Sequence, residues 1–148
     1  MGTIIVTGAG AGIGGAAARR LAAAGWKVAL VGRRAELLDQ VASDIAQAGG
    51  RAVPMAFDLQ DPNAAKAVVE RTIQAFGEID ALVNNAAVIK VMPLAEFTLD
   101  ILDQHWAVNI RAPFLLTQAA LPWLRKKGGA VVNISSSSGT LLRPGQSV

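Results

Sequence analysis

The chain has 148 residues, of which 52% are hydrophobic and 17% charged, so it can build one buried core and is excluded from the intrinsically disordered class. Cysteine is absent and histidine occurs once, which excludes a disulfide framework, thiolate metal sites and a cysteine nucleophile, and argues against a histidine-based metal centre. The net charge of +3 arises in the N-terminal third, where Arg19, Arg20, Lys27, Arg33, Arg34 and Arg51 face Glu36, Asp39 and Asp44; so small a bias suits a small phosphorylated ligand better than nucleic acid.

Residues 3–7 read as a short buried strand, β-branched and ended by glycine. A glycine-crowded loop follows over 8–15. An alanine-rich helix is predicted over 16–24, with Gly25 at its C-terminal cap. Residues 27–31 read as a second buried strand. Helical spacing over 35–48 places Leu38, Val41 and Ile45 on one face. A third strand is predicted over 52–57, and Pro54 marks it as an edge strand. Asp61-Pro62 has the form of a helix start, a capping acid and then proline, for a helix running to about 76. The fourth strand is predicted over 80–83. Two helices are predicted over 99–108 and 112–127, the second starting near Pro113. The fifth strand is predicted over 130–134, with polar loop over 135–139 and further loop over 141–148.

Strands alternating with helices, each strand a continuous apolar run, predict an α/β fold with a parallel sheet covered on both faces. Ligands are then expected at the carboxyl ends of the strands. No apolar run reaches the ~18 residues of a membrane span. The opening apolar run is too short for a signal peptide, and a cytoplasmic setting is expected.

Thr7-Gly8-Ala9-Gly10-Ala11-Gly12-Ile13-Gly14 joins the first strand to the first helix. A tight turn there needs residues without Cβ, and free N–H groups at a helix start bind an anion such as a pyrophosphate. Two spacings can be read. Gly10, Gly12 and Gly15 fit the common dinucleotide pattern, and Gly8, Gly12 and Gly14 after Thr7 fit another. The second strand ends Val31-Gly32-Arg33-Arg34, with Gly32 where an acid binding the ribose 2′-hydroxyl would stand. Losing that carboxylate removes repulsion against a 2′-phosphate, with which Arg33 can pair. NADP(H) is therefore favoured over NAD(H). The alternative is that both arginines are solvated charges at a helix start.

The second glycine spacing resembles the short-chain dehydrogenase/reductase family. Asn84-Asn85-Ala86-Ala87 resembles that family's Asn-Asn-Ala-Gly signature, with Ala87 in place of the glycine. Asn109 in Trp106-Ala107-Val108-Asn109 resembles its catalytic asparagine. Val132-Asn133-Ile134-Ser135-Ser136 resembles the strand end that carries its catalytic serine, with Ser136 aligned. Asp58, after the third strand, resembles the aspartate that contacts adenine. The resemblance implies a Rossmann-like doubly wound parallel sheet, with five strands present, and residues 1–148 as one partial dinucleotide-binding domain. It places Thr7, Gly8, Gly12, Ile13 and Gly14 at the pyrophosphate loop, and Arg33 at the 2′-phosphate. Asp58 and Leu59 fall at the adenine, with Asn84, Asn85 and Ala86 beside the adenosine ribose. It implies hydride transfer between nicotinamide and a carbonyl or alcohol carbon of a small molecule, with no nucleic-acid or membrane partner, by a homo-oligomer.

In that family serine, tyrosine and lysine act together, and lysine helps lower the tyrosine pKa. This chain has no tyrosine. The family's Tyr-x-x-x-Lys motif would fall at or just past Val148. The expectation is an N-terminal portion of an NADP-linked dehydrogenase/reductase, inactive alone, with Ser136 orienting substrate and Asn109 supporting a proton relay. The alternative is a non-catalytic dinucleotide-binding module. His105, Lys126 and Lys127 are weak substitutes for the base; His105 reads as a packing or surface residue. Asn109 and the serine loop also have purely structural readings, an amide bonded to backbone and a polar loop. The apolar fifth strand, lacking an outer neighbour, is expected to make the chain aggregation-prone.

Overall fold

A computed structural model describes residues 1–137. The loop expected over 141–148 lies outside the described residues. Five parallel strands form one sheet in the order β3-β2-β1-β4-β5. They are β1 (Thr3–Thr7), β2 (Lys27–Gly32), β3 (Arg51–Ala56), β4 (Ala81–Asn84) and β5 (Ala130–Asn133). β3 lies at a sheet edge, where the missing N–H of Pro54 costs least.

The central strands β1, β2 and β4 read as continuous apolar runs because they are buried on both faces. Ile4 and Val6 of β1 pack with Val28 and Leu30 of β2 under α1 (Gly12–Ala23) and α2 (Ala35–Gln47). Ile5 packs on the opposite face with Ala29, Val31 and Leu82, under α3 (Ala64–Phe76) and α5 (Ala112–Leu124). The two-residue side-chain period thus builds two cores from one set of strands, the doubly wound arrangement. The order reverses between β1 and β4. That opens a crevice at their carboxyl ends, where Thr7 pairs with Val31 and Val6 with Val83.

Several expected boundaries are corrected. α1 begins at Gly12 and not at 16: Gly12, Ile13, Gly14 and Gly15 enter the helix despite low glycine propensity, because Gly14 and Gly15 are buried by close packing. Asp61 does not cap α3. Its Oδ1 accepts the Asn63 N–H at 2.9 Å, closing a turn before the helix, which starts at Ala64. The two helices expected over 99–108 and 112–127 are not separate. α4 (Leu99–His105) runs into a π-helical turn, Trp106–Arg111, and then into α5. The Ala112 N–H reaches the Ala107 carbonyl, five residues back. Pro113 explains the widening. It has no N–H to send to the Asn109 carbonyl, and its ring crowds that carbonyl in a regular α-helix. α5 ends at Leu124, and Gly128, at a φ of 66°, lies in the turn before β5.

The opposite end of the sheet is latched by charge. Glu78 accepts from Lys27 Nζ at 3.1 Å and Lys127 Nζ at 2.6 Å, and the Asp80 carboxylate accepts the Thr3 N–H at 2.8 Å. The Lys127 ammonium, then Lys27, holds the Glu78 carboxyl below its usual range. β5 is exposed along its length and has no outer neighbour among the described residues. Among those residues no helix is long and apolar enough to cross a membrane.

Candidate dinucleotide site

The carboxyl ends of β1, β2, β3 and β4 surround a cleft of about 390 Å³. Its floor is the β1–α1 loop, represented by Gly8, Gly10, Ala11 and Gly12. Gly8 and Gly12 take φ of 67° and 54°, which L side chains rarely adopt. A Cβ on Gly8 would meet Asn85 Nδ2 at 2.7 Å, and one on Gly14 would meet the Gly8 carbonyl oxygen. A Cβ on Gly12 would meet nothing within 4 Å. So Gly8 and Gly14 are small because protein is there, whereas Gly12 borders open space in the cleft. Gly10 and Gly15 have no positive φ and looser surroundings, their nearest contacts being 3.1 and 3.2 Å. The Gly8, Gly12, Gly14 spacing therefore carries the stricter steric demand.

Ala11 caps α1 without a side-chain hydrogen bond, and the first turn contains no acid. The N–H groups of that turn therefore offer donors and a positive dipole end beside the cleft. Across it stand Arg33 and Arg34, exposed, whose guanidinium groups make no hydrogen bond or ion pair among the described residues. α2 starts directly after them at Ala35, and Arg34 gives it no side-chain cap. Two unpaired cations against a positive helix end are unfavourable until an anion arrives. Gly32 leaves the end of β2 without a carboxylate, and Phe57, Asp58 and Leu59 close the side at β3.

Thr7 does not line the cleft. It is buried and clamps the switch point: its hydroxyl donates to the Val83 carbonyl at 3.3 Å and accepts the N–H of Asn85 and of Ala86 at 2.9 and 3.0 Å. Asn85 returns the contact through Nδ2 to the Thr7 carbonyl at 2.9 Å. These bonds fix the loop 85–88, whose Asn85 and Ala86 reach the cleft. Asn84 faces the other way. It is buried, its Nδ2 donates to Asn133 Oδ1 at 2.8 Å, and its Oδ1 has no partner among the described residues.

The cleft thus brings together Gly8, Gly12, Arg33, Asp58, Leu59, Asn85 and Ala86. Ile13 is exposed in the first turn of α1, and Gly14 packs behind the loop. Asn109 and Ser136 stand outside the cleft lining. Asn109 Oδ1 accepts the Val88 N–H and its Nδ2 donates to the Val88 carbonyl, both at 2.8 Å, so its amide fastens the cleft wall at Val88. Ser136 is exposed, three residues past the end of β5. His105 is buried: its Nδ1 donates to the Ile101 carbonyl at 2.7 Å while Nε2 accepts the Lys90 N–H at 3.2 Å. Both ring nitrogens are used in packing, which leaves it no catalytic proton to move.

Sequence reasoning missed Phe57, Val88 and Val108 in the cleft wall and Arg111 behind it. Phe57 was signalled by its place at a strand's carboxyl end. Val108 and Arg111 were not, because the π-helical turn decides where they point.

The short chain dehydrogenase family model matches residues 2–148. A short chain dehydrogenase of Pseudocercospora fijiensis is 40% identical over 146 residues, covering 96% of this chain and 47% of that protein. A dehydrogenase/reductase of Sinorhizobium meliloti superposes with a TM-score of 0.93 at 41% identity, covering 98% of this chain and 58% of the other. A short chain dehydrogenase of Burkholderia cenocepacia, solved in complex with NADP, superposes with a TM-score of 0.92 at 38% identity, covering 97% and 58%. The chain spans about half the length of the curated relatives it matches.

Proposed function

The chain belongs to the short-chain dehydrogenase/reductase family, and we propose that its 148 residues form the cofactor-binding part of an NADP(H)-dependent oxidoreductase acting on a carbonyl or alcohol. The observation that carries this reading is the cleft's convergent set of donors for a phosphorylated ligand. An uncapped helix start, a glycine with open space beside it and two unpaired arginines converge there. That donor set fits a dinucleotide with a 2′-phosphate. Neutral ligands would leave the helix end and both cations unanswered.

The N–H groups at the start of α1, with Gly8 and Gly12, would hold the pyrophosphate, and Gly14 keeps the loop close enough to do so. Arg33 would pair with the 2′-phosphate, and Gly32 leaves room without charge repulsion. Asp58 and Leu59 would lie against adenine, with Asn85 and Ala86 along the adenosine ribose. When bound, the dinucleotide supplies or takes up hydride at its nicotinamide. Ser136 would orient the substrate oxygen, and Asn109 would serve by holding Val88 and the turn around it. The complex of the Burkholderia relative with NADP supports the choice of cofactor.

A second reading rests on one observation: these 148 residues contain no tyrosine, so no phenol among them can transfer the proton. It makes them a dinucleotide-binding module without turnover of its own.

Titration with NADPH and NADH, followed by nicotinamide fluorescence, tests the first reading. NADPH is expected to bind more tightly, and Arg33→Ala to cost about 10- to 100-fold for NADPH and little for NADH, as for a lost charge-assisted bond. Absence of saturable binding of either would remove the dinucleotide reading. Turnover of NADPH with an aldehyde by these 148 residues would remove the module reading.

A further inference from the structure

The geometry points to Arg111 as a positioning residue that sets how the cleft reads the adenine end of the cofactor. This rests on the reading that adenine lies against Asp58.

Arg111 lies in the π-helical turn, outside the cleft lining, yet it reaches 51 residues back in the chain. Its Nη2 donates to the Gln60 carbonyl at 2.6 Å. Gln60 in turn holds Asp58. The Gln60 N–H donates to Asp58 Oδ1 at 3.0 Å, and its side-chain amide donates to Asp58 Oδ2 at 3.2 Å. Gln60 is therefore fixed at both backbone ends, by Asp58 on one side and by Arg111 on the other. The orientation of the Asp58 carboxylate depends on that peptide staying in place.

Packing alone does not account for an arginine here. Its Nε is buried with no partner among the described residues, and no carboxylate among them pairs with the guanidinium. A leucine or methionine would fill the space without desolvating a charge. The price is consistent with a positional role: a rigid, planar, forked donor holds one carbonyl more firmly than a flexible chain does. The same turn supplies Val108 to the cleft wall, and Asn109 fastens Val88 by two bonds. One widened helical turn thereby ties both sides of the cleft, Gln60 below the adenine side and Val88 on the β4 side.

The discriminating probe is the hypoxanthine analogue of NADPH. Its base carries a carbonyl oxygen where adenine carries an amino group. A carboxylate set to accept from the amino group repels the carbonyl instead. Affinities of NADPH and of this analogue are measured by titration of the native chain, Arg111→Met, Arg111→Ala and Arg111→Lys, with a thermal melt of each. The native chain is expected to prefer NADPH by about tenfold or more, the size of a hydrogen bond to a charged acceptor. In Arg111→Met the preference is expected to shrink to about twofold as Gln60 and Asp58 loosen, whereas Arg111→Lys, which retains a donor, keeps most of it. If Arg111→Met does not fold, Arg111→Ala serves in its place. A native preference that persists in a folded Met or Ala variant overturns the inference, whatever the melting temperature, because Arg111 is then structural only. Equal native affinity for the two dinucleotides overturns the placement of adenine at Asp58 and the inference with it.

Discussion

Two glycines of the β1–α1 loop should fail in opposite ways when given a methyl group. The Cβ of Gly14→Ala would overlap the Gly8 carbonyl oxygen and stand 2.5 Å from Asn85 Nδ2 and 2.8 Å from the Gly8 carbonyl carbon. Those contacts fall about 1 Å short of the ~3.5 Å at which heavy atoms rest. One neighbour is backbone, and the other is held by its bond to the Thr7 carbonyl, so neither can yield cheaply. Overpacking against such atoms costs about 3 kcal/mol, and losing the Asn85 bond about 1 kcal/mol more. Replacing a helical glycine returns about 1 kcal/mol. The net of about 3 kcal/mol corresponds to a melting temperature lower by about 9 °C for a chain of this size.

Gly12→Ala meets no protein atom within 4 Å and strains only its φ of 54°. Its cost is about 1 kcal/mol, or about 3 °C. Its Cβ, however, enters the space assigned to the pyrophosphate, so NADPH affinity should fall at least about tenfold, a loss of roughly 1.4 kcal/mol. Thermal melts of the two variants without ligand, and NADPH titrations at a temperature where both are folded, separate the effects. The reasoning is refuted if Gly14→Ala melts no lower than Gly12→Ala, or if Gly12→Ala binds NADPH as the native chain does.

The latch at the far end of the sheet sets an acid limit. Because Glu78 is held below its ordinary value of 4.5, its contribution is complete above that pH and is lost as pH falls through the lower folded value. Melting temperatures of Glu78→Gln should lie below native at pH 7 and converge with it in acid; a constant gap across that window would count against the latch. Lys127, whose pKa is raised, adds stability that is complete below 10.5 and lost as pH rises through the higher folded value, so the gap should narrow in strong alkali as well. At the sheet edge, Val132 is 48% exposed on a strand with no outer neighbour among the described residues. Val132→Lys should move the sizing-column profile of the 148-residue chain toward the monomer, since a charge blocks edge pairing. Identical profiles for both would exclude β5 as the contact.

The central strands were legible because burial on both faces leaves an unbroken apolar signature, as in Ile4-Ile5-Val6 and Val28-Ala29-Leu30-Val31. The crevice followed from the order of strands and helices, and a dinucleotide as the proposed ligand from the glycine loop that joins β1 to α1. Local rules failed where a side chain takes a competing partner. Asp61-Pro62 has the form of a helix start, yet Asp61 spends its carboxylate on Asn63. The amide of Asn109, a residue that resembles the family's catalytic asparagine, bonds the backbone of Val88, the structural reading that its sequence also allowed. Pro113 was legible as a disturbance, and periodicity predicted a break there. The chain instead absorbs it by widening one turn, because Asn109 and Arg111 gain partners on either side of the cleft that a loop would not hold. Shortening this turn to regular α-helix would rotate everything beyond it by about 100° and separate one of those residues from its partner. The π-helical turn is therefore better understood as part of the site than as a defect next to it, and a structural explanation of Pro113 alone leaves the two tethers unexplained.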